Sequence, residues 1–172
     1  MFRSVFIAAF TAVALTGAAV AQDKLNDAQI AHIAYTAGQL DIAAADQALA
    51  KSKNADVIAF AELMARDHKA VNDQALALVG KLGVTPEDNP TSQKLSADAA
   101  AKLAELAALD GAAFDVAYIA NEVSYHQAVN DALGKVLIPS AQNAELKALL
   151  ETGLTLFTEH QRHAEHLAAE LK

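Results

Sequence analysis

Three histidines occupy positions where a helical bundle would pack aliphatic side chains: His68, His126 and His160. Steps of three or four residues through His68 keep Val57, Ala61, Met64, Val71, Ala75, Leu78 and Leu82 on its face. The same steps collect Ala112, Val116, Ile119, Val123, Val129 and Leu133 around His126. Around His160 they collect Leu146, Leu149, Gly153, Leu156, His163, Leu167 and Leu171. An apolar stripe of that period faces a partner helix, so each imidazole is aimed inward. A buried imidazole needs a hydrogen-bond partner or a metal ion. Three of them around one point, with a carboxylate, would suit a divalent transition metal: Zn, Cu, Ni or Fe.

Each of the three lies within about three residues of the centre of its predicted helix, roughly 5 Å along the axis. In a four-helix bundle the centres meet whichever way the helices run. Asp41 falls at the same level on the first helix, at the edge of its stripe rather than the middle, where Leu40 and Ala44 stand. Glu122 is one turn from His126 and reaches the same space, and His163, one turn beyond His160, offers a further ligand. Asp67 projects about 100° from His68 and reads as a solvated charge beside Arg66 and Lys69. His166 points to the flank, and His32 lies far from the central level.

These positions require helices, and the chain punctuates them clearly. Asn26, Asn54 and Asn143 are placed as N-caps, Gly83 and Asp110-Gly111 as breaks, and Pro139-Ser140 as a stop. Helices are expected over about 26–50, 55–82, 112–138 and 144–171. Between the second and third runs a polar connection, Val84 to Ser92 with two prolines, is followed by a short helix over about 96–109. Two tight hairpins joined by a long connection carrying its own helix define an all-α, ferritin-like four-helix bundle with a crossover. A motif recurs in it. Residues 68–73 read His-Lys-Ala-Val-Asn-Asp and residues 126–131 read His-Gln-Ala-Val-Asn-Asp, each with an aromatic, Phe60 or Tyr118, eight residues before the His.

Residues 1–21 read as a cleavable secretory signal: one charge, Arg3, an apolar run from Val5 to Leu15, and Ala19-Val20-Ala21 before Gln22. The mature chain, 22–172, is then one domain of about 150 residues, enough for a single core. Without Arg3 it carries 12 basic and 21 acidic residues, a net charge of about −9, which argues against nucleic acid and anionic membrane surfaces as partners. No later stretch is apolar enough to span a bilayer. The expected location is the periplasm, peripheral to the outer membrane. Cysteine is absent, so thiolate metal sites, redox pairs and cysteine nucleophiles are excluded.

Catalytic motifs are not found. A carboxylate-rich di-iron oxidase uses Glu-x-x-His on two helices, and no Glu in this chain is followed three residues later by His. There is no His-Glu-x-x-His, nucleophile elbow or glycine-rich phosphate loop. An enzymatic role is therefore left open, leaning against.

The segments Phe60-Ala-Glu-Leu-Met-Ala-Arg-Asp67-His68, Gly111-Ala-Ala-Phe114-Asp115-Val-Ala-Tyr118, Glu122 to His126 and Leu156-Phe-Thr-Glu-His160 resemble bacterial domain-of-unknown-function family 4142. The resemblance spans about Asn26 to Leu171. It implies an exported, ferritin-like helical protein, often described as an outer-membrane protein, with no established activity. Family members usually carry Glu where this chain has Asp41, which shortens the reach of any carboxylate ligand there. Two functional readings follow. In one, His68, His126 and His160 hold a metal, with Asp41 or Glu122 as fourth ligand or support. In the other, the histidines form a buried hydrogen-bond cluster in a structural or envelope-stress protein whose partner is another envelope protein.

Overall fold

The computed structural model describes residues 24–171; residues 1–21, expected to be a secretory signal, lie outside them. Their regular structure is entirely helical: α1 (Asp27–Lys51), α2 (Ala55–Leu82), α3 (Pro90–Ala107), α4 (Gly111–Ala132) and α5 (Ala144–Glu170). A π turn, Leu133–Leu137, and a last turn, Ile138–Ser140, prolong α4. Its wide ladder, with Ile138 N–H bonded to the Leu133 carbonyl, carries the chain up to Pro139, which has no N–H to give.

Asparagine starts four of the helices. Asn26 accepts from Gln29 N (2.8 Å) while the Gln29 side chain accepts from Asn26 N (3.2 Å), a reciprocal capping box. Asn54 and Asn143 cap α2 and α5 through the N–H groups two and three residues on. Asn89 does the same for α3, with Pro90 in its first turn. The crossover helix therefore begins at Pro90, not near Ser96 as the sequence suggested. Proline fits a helical first turn because its missing N–H would be unbonded there anyway.

Contacts at the ends set the helix directions. Glu87 N–H reaches the Ala28 carbonyl (3.1 Å), and the Asp27 carboxylate accepts from the N–H groups of Gln142 (2.8 Å) and Asn143 (2.9 Å). The start of α1, the end of α2 and the start of α5 thus share one end, the base. At the top, Lys51 Nζ donates to the Ala107 carbonyl (2.9 Å) and pairs with Asp110 (3.0 Å). So α1 and α5 rise while α2 and α4 descend, and α3 climbs beside α1 to make the crossover. Around the bundle the order is α1, α2, α5, α4, with α2 diagonal to α4. This is the ferritin-like arrangement.

The core is in two parts. The upper holds Val57, Phe60, Met64, Phe114, Tyr118 and Ile119 with a band of alanines from α1; the lower holds Ile30, Ile33, Leu133, Leu137, Leu146, Leu150 and Phe157. Between them lies a buried polar layer of Asp41, His68, Asn72, Glu122, His126 and His160. Among the described residues, no helix is long and apolar enough to cross a membrane.

Because Asp27 joins α1 to the α4–α5 connection through two charge-assisted bonds, Asp27→Ala should lower unfolding free energy by about 1–3 kcal/mol. Urea titration reads this directly. A change below a few tenths of a kcal/mol would show that the basal tie contributes nothing.

Candidate metal centre

Each of the four long helices sends a donor into the polar layer, Asp41 from α1, His68 from α2, His126 from α4 and His160 from α5, and these fall in two overlapping triads, His68–His126–His160 and Asp41–Glu122–His126. His68 Nε2 lies 3.4 Å from His126 Nε2, and Asp41 Oδ2 lies 3.5 Å from the first and 3.6 Å from the second. With bonds of about 2.1 Å, donors at the corners of a tetrahedron stand about 3.4 Å apart. The three ring centroids form a nearly equilateral triangle with sides of 5.5, 5.5 and 5.6 Å. A nitrogen from each ring lies within 4.8 Å of the other two.

Outer hydrogen bonds decide which nitrogen of two rings is free. His126 Nδ1–H donates to the Glu122 carbonyl one turn earlier (3.0 Å), which leaves the Nε2 lone pair facing His68. His160 Nε2 donates to Asp67 Oδ2 (3.1 Å), leaving buried Nδ1 without a partner. A carbonyl or carboxylate behind the imidazole is the usual support of a metal-ligating histidine. His68 is fixed by packing instead, its ring stacked on Phe157 at 4.4 Å and 10°.

The inner atoms do not satisfy one another. Both Asp41 oxygens, His68 Nδ1, His160 Nδ1 and Glu122 Oε2 are buried without hydrogen bonds. Burial raises the Asp41 carboxyl to about 8. Burial, reinforced by Asp41, holds Glu122 well above the carboxylate range. Burial also lowers His126 to about 4 and keeps His68 well below its ordinary value, with neighbouring imidazoles adding to it. For His160 burial lowers the value and Asp67 partly opposes it. The contacts of Asp41 with His68 and His126 are therefore neutral pairs in the metal-free chain, not salt bridges. A divalent ion would displace the Asp41 and Glu122 protons, and two carboxylates would then balance its charge in a dry site.

Several sequence expectations change. Asp41, expected at a stripe's edge, is fully buried, because α2 and α4 flank α1 on both sides and widen its covered arc. Glu122 Oε2 stands 3.5 Å from His126 Nδ1, behind that ring, within reach of Asp41 and His126 but outside the three-histidine group. His163 does not join the site. The buried stripe of α5 runs Gly153, Phe157, His160, Ala164, Leu167; after His160 it advances by four residues, turning His163 outward against the Phe60 ring (5.1 Å). Asp67 is not a solvated charge, since it is mostly buried between Arg66 (2.8 Å) and His160. The 100° that carries it off the His68 face carries it toward α5. Burial would raise its carboxyl, but the bonds from Arg66 and His160 outweigh that and lower it.

Asn72 also went unnoticed in the sequence. One turn below His68, it is buried with Nδ2 unpartnered. Gly38 makes room for it, because a Cβ there would stand 2.4 Å from Asn72 Oδ1. The signal was the repeated His-x-Ala-Val-Asn motif, whose Asn shares the histidine's face.

These features define a ferritin-like helical bundle with three buried histidines and two buried carboxyls at its midplane. The chain belongs to the family described as a domain of unknown function (DUF4142), which matches residues 12–167. No functionally curated protein matches it. In fold it is similar to a DUF305 protein from Streptomyces coelicolor described as secreted, at 13% identity over 83% of this chain and 91% of that one, with a TM-score of 0.71.

The shifted groups predict a pH profile for metal-free protein. The three histidines take up protons more readily unfolded than folded, so the stability linked to them is lost as pH falls below 6.5, for His126 down to about 4. Asp41 is the reverse. Folded protein holds its proton, so its contribution is complete below 3.8 and lost as pH rises through about 8. Melting temperature against pH should fall from neutrality toward pH 8 in the wild type, and Asp41→Asn should make that limb shallower, what is left belonging to Glu122, whose proton burial holds in the same way. An unchanged limb in the variant would contradict the buried, protonated carboxyl.

Proposed function

We propose that this is an exported, periplasmic protein, peripheral to the outer membrane, that binds one divalent transition metal ion (Zn, Cu, Ni or Fe) through Asp41, His68, His126 and His160. The observation that carries the reading is the convergence of Asp41 Oδ2, His68 Nε2 and His126 Nε2 at 3.4–3.6 Å from one another. That spacing suits ligands of a common ion and is too long for good hydrogen bonds. A purely structural histidine cluster would be expected to satisfy its own donors and acceptors, and five of the inner polar atoms have no partner. The bonds from His126 to a carbonyl and from His160 to Asp67 leave lone pairs for the ion. Export is supported by the signal-like composition of residues 1–21 and by the description of the similar Streptomyces protein as secreted.

Elemental analysis of wild type beside the His68→Ala/His126→Ala double variant tests this. Near-stoichiometric metal in the first and none in the second is expected. At free ion about a hundredfold above Kd, the wild type should gain about 2.7 kcal/mol, a melting shift of roughly 5–10 °C. Asp67→Asn should keep the stoichiometry and weaken affinity about 10- to 100-fold. No metal in either protein after reconstitution with all four ions would sink the reading and leave the envelope structural role.

A further inference from the structure

Below the histidine layer the bundle is not filled. A cavity of about 360 Å³ runs between the helices, within the range of small-molecule sites. On α1 its wall extends from Ala31 to Ala44, about 20 Å of helix axis at 1.5 Å per residue. Leu137, Leu146 and Leu150 close the base, and Asp41, His68 and His126 meet the other end. The wall also includes exposed residues of α3 and α4, Asp98, Lys102, Ser124 and Ala128, which marks a mouth between the crossover helix and α4. Tyr125 holds that side in place by donating to the Ala37 carbonyl (2.8 Å).

Alanines on α1, α2 and α4 create the void: Ala34, Ala75 and Ala132 stand where leucine would fill it. Within this apolar wall Asn72 is 3% exposed and its Nδ2 has no acceptor. Leaving a buried amide donor unbonded is costly, and Gly38 gives up its side chain to let the amide sit there. A ligand oxygen would relieve that cost.

We propose that this cavity binds an uncharged, chain-like apolar molecule bearing one hydroxyl or carbonyl oxygen, which accepts from Asn72 Nδ2. An ammonium group offers Asn72 no acceptor. A carboxylate would have to desolvate its charge beside two buried carboxyl groups. The inference does not depend on the metal, because Asn72 is not among the proposed ligands and the cavity belongs to the metal-free chain.

The test is a titration of 1-decanol into EDTA-treated protein, followed by the 15N side-chain amide signals of Asn72 and the methyl signals of Ala31 and Leu150. Saturable one-to-one binding that shifts all three is expected, with decanoate binding more weakly. Asn72→Leu should weaken 1-decanol about three- to tenfold, and Ala75→Phe should abolish binding by filling the void. Absence of saturable binding to the wild type overturns the proposal. So does binding that leaves the Asn72 signals and the Asn72→Leu affinity unmoved, or tighter binding of decanoate. If Ala75→Phe does not fold, the wild-type spectra decide alone. Because the protein is metal-free, failure here is distinguishable from failure to bind metal.

Discussion

A layer of ionisable side chains buried across the middle of a helical bundle constrains everything around it. Burying a charge without full compensation costs several kcal/mol, and this layer meets the problem by neutrality: carboxyls keep their protons and imidazoles refuse theirs. Neutrality lowers the cost without removing it, since so many of the polar atoms stay unbonded. The layer can persist only because apolar packing above and below holds four helices in fixed register. Phe60, Phe114 and Tyr118 fill the upper core, and leucines from α4 and α5 the lower. The caps and basal ties matter for the same reason. A slip of one residue in any helix would move its donor by 1.5 Å and rotate it by 100°.

The repeated His-x-Ala-Val-Asn-Asp motif makes sense once helix directions are known. Two consecutive hairpins would pair α1 with α4 and α2 with α5, yet the repeat is on α2 and α4. These two helices run parallel at opposite corners, so a rotation about the bundle axis exchanges them. The same motif then aims the same ring at the same point from both sides, and the two Nε2 atoms meet at 3.4 Å. The likeness ends four residues on. Asn130 finds the Phe157 carbonyl (3.3 Å) and Gln161 Oε1 (3.0 Å), whereas Asn72 finds no acceptor for its amide. One half of the motif is closed by α5, and the other opens on the cavity beside α1.

Much of this was legible in residue periodicity. Asparagine caps, Gly83 and the proline-bearing crossover place the helices, and the stripes through His68, His126 and His160 bring those rings together. What periodicity could not resolve was the width of each buried arc. A helix with two neighbours covers more than one stripe, which is how Asp41 and Asp67 came inside. The choice between a step of three and a step of four after His160 depends on where α2 and α4 press on α5, and it favoured Ala164 over His163. Nor does any pattern of small residues reveal whether alanines bring helices close or leave a void. In the upper core Ala45, Ala48 and Ala61 are sealed against neighbours; in the lower half Ala34, Ala75 and Ala132 border open space.

The cavity and the donor set share a wall, and this makes the site asymmetric. Asp41, His68, Glu122 and His126 line the cavity, while His160 does not; its ring is backed by Asp67 and Arg66 on the far side. An ion held by the four donors would therefore be shut off behind His160 and approachable from the void. Apolar walls around such an ion keep the local dielectric low, so its pull on any oxygen in the void is stronger than in water. The unpartnered Asn72 amide, one turn below His68, lies along that approach. The same alanines that leave the core underfilled thus leave a dry channel ending at the donors. In a bundle whose only task was packing, leucines at those positions would fill the space and stabilise it more.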